Sequence, residues 1–456
     1  MRHNPAVAIR LLTCAFALCL AVVPAAASSV AKSNAARSYV LPLKLSANKR
    51  YLVDQSGKPF LIVGDSPQAL IGDVSPHDAE TYLADRQKAG FNAIWVNLLC
   101  DSYTGCNSDG TTFDGIAPFT TPGNLATPNP DYFMRVATMI QLAAKHGIVV
   151  FLDPIETGGW LDVLRNNGAT KDKAYGKYLG SRYKKFSNIV WFSGNDFQSW
   201  SDASDDADVL AVANGIRETD PQALQTSELS YLESGSLDDS RWRGVLSLDG
   251  AYTYYATYDE VLRQYATSPH LPVFMEEAGY EDEQNSAFIS PGTPQTLRRQ
   301  EYWTALSGAT GQFYGNHYTW PFSSGWQQHL DTPGSKQLGY LVRLLEGLPW
   351  YQLVPDIHHR VVTAGYGTYD GTANVLGSDY VTTAVTPSGK LALAYLPTGG
   401  TVTVNMSRFA GEVRIRWFDP KTGSYRTSAA RSHANNGTAR LTAPSTSDWL
   451  LVLTAP

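Results

Sequence analysis

Two carboxylates, Asp196 and Glu277, stand out by their place in the chain. Asp196 closes the run Ser193-Gly194-Asn195-Asp196, and Glu277 closes Pro272-Val-Phe-Met-Glu-Glu277, each just past an apolar segment. Both therefore fall at the carboxyl end of an expected strand, where a parallel barrel keeps its active site. Two such groups facing each other across a pocket suit glycosidic cleavage: one protonates the leaving oxygen while the other attacks the anomeric carbon or activates water. A retaining reaction would hold them about 5 to 5.5 Å apart. The expected positions, after the fourth and seventh strands and so opposed across the barrel mouth, favour retention. Glu276 competes with Glu277, because neighbouring strand residues point to opposite faces and only one can look inward. Asn195 is placed to bond a sugar hydroxyl. Asp65, Asn97, Asp153, Tyr254 and His317 are further polar subsite candidates, and Trp160 and Trp320 are candidate sugar platforms. For any one of these alone, a rim ion pair, a helix cap or a packing role accounts equally well.

The elements that must position these groups alternate along the chain. Apolar segments at 61–65, 91–99, 148–152 and 188–192 read as the first four strands, with weaker candidates at 224–227 and 244–248. The segments 272–275 and 311–314 complete eight. Ser75-Pro76-His77-Asp78 reads as an N-cap, a proline at the first helical position and an acid two residues later, with Gly90 ending that helix. Asn129-Pro130 starts another helix, with an apolar stripe at Tyr132, Val136, Ile140 and Ala143 and a stop at Gly147. Eight strand–helix units match a (β/α)8 TIM barrel in length and order. A doubly wound open sheet is the alternative.

Beyond about residue 358 the helical period stops. Alternating segments such as Thr401-Val-Thr-Val-Asn405 and Val413-Arg-Ile-Arg-Trp417, and the turn Asp419-Pro-Lys-Thr-Gly423, point to a small C-terminal all-β sandwich. At the other end, Arg2 and Arg10 precede an apolar run from Leu11 to Val23, then Pro24 and Ala25-Ala-Ala27. This reads as a secretory signal cleaved after Ala27, too short for a comfortable membrane span. The expected divisions are thus a signal peptide at 1–27, a barrel with a β lead-in at 28–357 and the sandwich at 358–456. Cys14 and Cys19 leave with the signal. Cys100 and Cys106 remain and could close a loop disulfide in an oxidising compartment.

The 456 residues carry a net charge of -6, which argues against a nucleic-acid-binding surface. The 11 Trp, 25 Tyr and 16 Phe supply both core and flat platforms for sugar rings. The nine His are scattered and no HExxH or EF-hand spacing occurs, so no metal and no cofactor is expected. The expected partner is an oligo- or polysaccharide substrate.

Several segments together resemble a known family. Tyr51-Leu-Val-Asp-Gln-Ser-Gly-Lys-Pro-Phe60, Val63-Gly-Asp-Ser-Pro67 and Tyr82-Leu-Ala-Asp-Arg-Gln-Lys-Ala-Gly-Phe-Asn92 are similar to the apiosidase-like (DUF4038) barrels, which include glycoside hydrolase family 140. Trp191-Phe-Ser-Gly-Asn-Asp196 and Pro272-Val-Phe-Met-Glu-Glu-Ala-Gly-Tyr-Glu281 fit the same pattern. Ala394-Tyr-Leu-Pro397 and Trp417-Phe-Asp-Pro-Lys-Thr-Gly423 resemble that family's collagen-binding-type β-domain, a label that is no evidence of a collagen ligand. The resemblance implies an exo-acting glycosidase on branched plant polysaccharide, with Asp196 as acid/base and Glu277, rather than Glu276, as nucleophile. Two departures lie at the site mouth. Pro67-Gln68 stands where the family usually carries Trp, and Ala278 stands where proline commonly follows the glutamate.

Two other readings compete. Gly64-Asp65-Ser66, Gly194-Asn195-Asp196 and Asp356-Ile-His-His359 resemble blocks of SGNH-type esterases, with Ser66 as nucleophile, His359 as base and Asp356 orienting it. That reading leaves the acids of the seventh strand unexplained. A non-catalytic carbohydrate-binding protein on a barrel scaffold is the other, since fold does not dictate function.

Overall fold

The computed structural model describes residues 39–284, 290–426 and 431–456. The signal expected over 1–27 lies outside them. Among the described residues, eight parallel strands form one curled sheet: β1 (Ile62–Asp65), β2 (Ala93–Asn97), β3 (Val149–Asp153), β4 (Ile189–Ser193), β5 (Gln225–Ser227), β6 (Asp249–Thr253), β7 (Val273–Glu277) and β8 (Gly311–Tyr314). Their spatial order runs β5-β4-β3-β2-β1-β8-β7-β6, so the first and last strands are neighbours, as a (β/α)8 barrel requires. No ladder joins β5 to β6. The short strand Glu233–Gly235 pairs antiparallel with β6 and fills that seam. Next to it the Ser236 hydroxyl donates to Ser227 O at 2.5 Å and accepts from Gly250 N–H at 2.8 Å. One side chain thus stands in for a ladder bond.

The barrel interior is aromatic, with Trp95, Phe151, Phe192, Phe274 and Phe313 from β2, β3, β4, β7 and β8 packed together. Phe151 and Phe313 lie 4.9 Å apart in an edge arrangement. The helix Pro76–Ala89 starts where its cap signals place it: Ser75 Oγ accepts from Asp78 N–H at 3.1 Å, and Gly90 ends it at φ 101°. Asn129 caps Pro130–Lys145 through a 3.1 Å bond from Asp131 N–H.

One expected strand is misplaced. The apolar stretch 244–248 is the end of the turn Ser240–Gly244 and the loop after it, and β6 begins at Asp249. The strand was hidden because its inward positions hold Gly250 and Tyr252, and its first residue is a carboxylate. Val245 packs into the core outside the strands and Leu248 into the barrel interior instead.

After the barrel come antiparallel β-sheets. One contains Thr382–Val385, Leu391–Leu396, Trp449–Thr454 and Val413–Asp419; the other contains Val362–Ala364, Thr401–Asn405 and Thr438–Thr442. Ala392, Ala394 and Leu396 face the second sheet. Leu391, Leu393 and Tyr395, on the other face of the same strand, join a core with Tyr302 and Trp303 of the barrel helix Pro294–Leu306. Tyr302 stacks on Tyr395 at 4.9 Å, and Arg298 holds Asp448 through bonds of 2.8 and 3.0 Å.

Candidate active site

The turn after β4 is built from three consecutive left-handed residues, Gly194 (φ 125°), Asn195 (φ 66°) and Asp196 (φ 58°). Only glycine suits the first, where a Cβ would collide with Glu228 O. Asn and Asp are among the few other residues that tolerate this region. The neighbours hold the turn in place. Glu228 accepts from Asp196 N–H at 3.0 Å, and the Thr157 hydroxyl donates to Gly194 O at 2.7 Å. Strain of this kind gathers at functional sites because surrounding structure must enforce it. The turn carries the Asp196 carboxylate half-buried at the barrel mouth. There Oδ1 accepts from the Tyr252 hydroxyl, and Oδ2 accepts from the Tyr103 hydroxyl at 2.5 Å.

Glu277 ends β7 and is buried. Its Oε1 accepts from the Tyr254 hydroxyl and its Oε2 from the Tyr280 hydroxyl at 2.7 Å. Gln68 in turn donates to the Tyr280 oxygen at 3.2 Å. Burial and the nearby Asp196 charge push Glu277 up to about 8, against the pull of the two phenols. Glu228, buried beyond β5, is pushed well above the usual carboxylate range by burial and then by the charges of Glu277 and Asp196. Three acids thus share one pocket, and the two buried ones hold a proton more tightly than a free carboxyl does.

Strict alternation does not decide between Glu276 and Glu277, because β7 is bulged. Ala251 pairs with Met275 but Tyr252 pairs with Glu277, leaving Glu276 as the extra residue. The Glu276 carboxylate lies over Gly250, where any Cβ would strike it. It is fully buried with no hydrogen-bond partner on either oxygen. Burial and the charges of Asp249 and Glu277 hold its pKa well up.

The other expected site residues divide. Tyr254 belongs to the site, as above. Asn195 is buried beside Asp196 with an unpartnered Oδ1. Trp320 is at the β8 rim and donates to Glu283 at 2.9 Å; Glu283 is among the charges that raise Glu277. His317 is exposed nearby, its Nδ1 3.9 Å from the same Glu283 oxygen. Asn97 and Asp153 pair in register at the ends of β2 and β3, both fully buried. Asn97 donates to Thr104 at 3.5 Å, while burial pushes Asp153 up to about 8. Two residues are brought elsewhere. Asp65 is committed to the helix layer, accepting from Tyr82 at 2.6 Å and pairing with fully buried Arg86 at 3.1 Å. Trp160 is a core residue against Phe119, because its helix turns the indole inward.

Four residues of the site escaped sequence reasoning. Tyr252 was hidden by the misplacement of β6. Glu228 immediately follows β5, so the strand-end rule applied to that strand would have found it. Tyr280 was visible only as a neighbour of Glu281. Tyr103 carries no periodic signal and is delivered by the loop between Cys100 and Cys106, which are disulfide-bonded.

The esterase constellation does not assemble. Ser66 is fully buried at the end of β1. The Asp356 carboxylate accepts from the Arg360 and Val361 N–H groups, and the His359 ring stacks on Tyr366 at 3.7 Å beside the C-terminal sheets. Among the described residues, no group of three or more His, Cys, Asp or Glu is arranged to hold a metal ion, and no helix is long and apolar enough to cross a membrane.

Solved structures share this architecture. A protein titled "Glycoside hydrolase" superposes with a TM-score of 0.79 at 22% identity, covering 92% of this chain and 98% of that one. A glycoside hydrolase family 5 protein from Bacteroides vulgatus gives 0.79 at 21% identity, covering 92% and 95%. A third structure, titled "putative glycoside hydrolase" and from the same organism, gives 0.67 at 13% identity, covering 91% and 82%. The fold is therefore a (β/α)8 barrel carrying C-terminal β-sheets. Residues 46–352 match the family described as "Apiosidase-like, catalytic domain", and residues 372–454 match "Putative collagen-binding domain of a collagenase". The chain belongs to the apiosidase-like family and is a glycoside hydrolase. No curated protein matches it in sequence.

Proposed function

We propose that this enzyme hydrolyses a glycosidic bond of a branched, plant-type polysaccharide with retention, acting on a chain end, with Asp196 as acid and then base and Glu277 as nucleophile. The observation that supports this most is the paired grip on the two carboxylates. They lie at the ends of opposed strands, and β6 with the residue just after it sends one phenol to each. In the first step Asp196, nearer the mouth, gives its proton to the leaving oxygen. Glu277, deeper and braced by Tyr254 and Tyr280, attacks the anomeric carbon. In the second, Asp196 takes a proton from water and the water oxygen displaces Glu277. Burial and mutual repulsion favour one proton on the pair near neutrality, the charge state the first step needs. Substrate binding that sets the leaving oxygen beside Asp196 draws that proton there. Asn195 and Trp320 are proposed to bind the sugar. The disulfide supports export, because such bonds persist in oxidising compartments. The barrel domain is proposed to span 28–357 and the sandwich 358–456.

Branched pectic and hemicellulosic polysaccharides incubated with the mature protein should release a monosaccharide, detected by chromatography with mass analysis. The Glu277→Gln protein should release none while melting as the wild type does. Full turnover in that variant would remove Glu277 from the scheme. Acetate release lost with Ser66→Ala would point to an esterase instead. Retained polysaccharide without any product would point to a binding protein.

A further inference from the structure

The arc between Cys100 and Cys106 is tied to the site at several points. Both cysteines are buried, their Cα atoms are 5.9 Å apart, and their sulfurs pack where a Cβ on Gly72 would have to go. The arc folds on itself, Asp101 Oδ1 accepting from Tyr103 N–H at 2.7 Å. It then donates three bonds outward. Tyr103 donates its hydroxyl to Asp196 at 2.5 Å, Thr104 donates its hydroxyl to Glu156 at 3.2 Å, and Asp101 donates its N–H to Glu156 at 3.3 Å. Room for this is left by Gly158 and Gly159 at the start of the helix Thr157–Asn167. A Cβ on the first would meet the Tyr103 ring, and a Cβ on the second the Asp101 carboxylate. Tyr103 is nonetheless 46% exposed, so packing alone does not fix it. An exposed tyrosine on an open loop would spend its rotamer freedom elsewhere.

We propose that the Cys100–Cys106 arc is a positioning device for Asp196: the disulfide holds Tyr103 where its hydroxyl steadies one carboxylate oxygen, and Tyr103 is a positioning residue of the reaction. The role in turnover rests on reading Asp196 as the acid; the geometry of the device does not. The groups that face Asp196 are Tyr103 from the arc, Tyr252 from β6, Glu277 from β7 and Glu228 beyond β5.

The test measures kcat and KM of the full chain on branched pectic polysaccharide. Tyr103→Phe removes a donor to the Asp196 carboxylate and should lower kcat roughly tenfold with KM held. The Cys100→Ser/Cys106→Ser protein, with Tyr103 still present, should show the same loss. Adding Tyr103→Phe to it should cost nothing more, because both changes remove one interaction. A double-serine protein that turns over like the wild type, or losses that multiply in the triple variant, would overturn the device. If the serine pair does not fold, Cys100→Ala/Cys106→Ala suits the apolar packing around Gly72 and replaces it. Full turnover in Asp196→Asn would sink the acid assignment, while a crystal structure of the double-serine protein still decides whether the arc holds Tyr103 on Asp196.

Discussion

Tyr252 on β6 and Tyr254 just past its end lie side by side, their ring centroids 5.6 Å apart, and their hydroxyls are given to different carboxylates, Asp196 and Glu277. The extended strand carries its direction one residue past its end, and residues two apart on such a backbone face the same way. A single backbone segment therefore sets the relation between the two acids.

Removing either hydroxyl should cost activity without unfolding the protein. Bonds to an ionised acceptor are worth about 1.5 to 3 kcal/mol, which translates into roughly a ten- to hundredfold loss when the bond is needed in the transition state. Tyr254→Phe should lower kcat by about that factor and Tyr252→Phe by a similar one. The two losses together should fall short of their product because the residues share neighbours. Steady-state kinetics on the released sugar measures this.

The pH profile should be bell-shaped. When both members of the pair carry protons there is no nucleophile, and when neither does there is no acid. Because burial and the Asp196 charge raise Glu277 to about 8, the second proton leaves near that pH and kcat/KM should fall above it. The Tyr254 hydroxyl lowers this value by favouring the charged form. Tyr254→Phe should therefore move the falling limb to higher pH. A limb that moved down would contradict the assignment.

Glu301 gives a test of stability away from the site. It is buried on the helix Pro294–Leu306, and burial raises it from 4.5 to about 8. The folded protein then binds this proton more tightly than the unfolded chain does. The stability it contributes is complete below about pH 4.5 and is lost as pH rises towards 8. Melting temperature should fall between pH 5 and pH 8, and Glu301→Gln should fall less. Asp153 and Glu156, each raised to about 8 mainly by burial, keep the variant's fall above zero.

The seam between β5 and β6 predicts a mutation of unusual cost for a small side chain. Ser236→Ala removes the hydroxyl that joins Ser227 O to Gly250 N–H and leaves both backbone groups unpaired in a buried place. Each such group costs about 1 to 3 kcal/mol, so chemical denaturation should show a loss of roughly 2 to 6 kcal/mol. Ser236→Thr, which keeps the hydroxyl, should recover part of it.

Much of this was legible in the sequence, and the exceptions share a cause. The strands β1 to β4, β7 and β8 are apolar runs bounded by turn residues, and the helix caps at Ser75 and Asn129 are local signals. The carboxylates Asp196 and Glu277 could be picked because the strand ends could be placed. The strand β6 could not, since Asp249, Gly250 and Tyr252 are chosen for the seam and the site and not for an apolar pattern. The bulge at Glu276 is a property of pairing between strands, which no single strand reveals. Asp65 read as a site residue because its burial against Tyr82 and Arg86 depends on a helix about 20 residues on. Tyr103 depends on a loop closed by two cysteines and is visible only in three dimensions.

The strand Leu391–Leu396 is buried along its whole length, one side against its own sandwich and the other against the barrel helix that follows β7. This makes the C-terminal region a poor unit of exchange. Cutting the chain between the two parts would bare Tyr302 and Trp303 on one piece and Leu391, Leu393 and Tyr395 on the other, and would leave Arg298 without Asp448. Domain shuffling among relatives, natural or engineered, must therefore carry the helix Pro294–Leu306 along with the sheets, and with it the ground on which Glu277 stands.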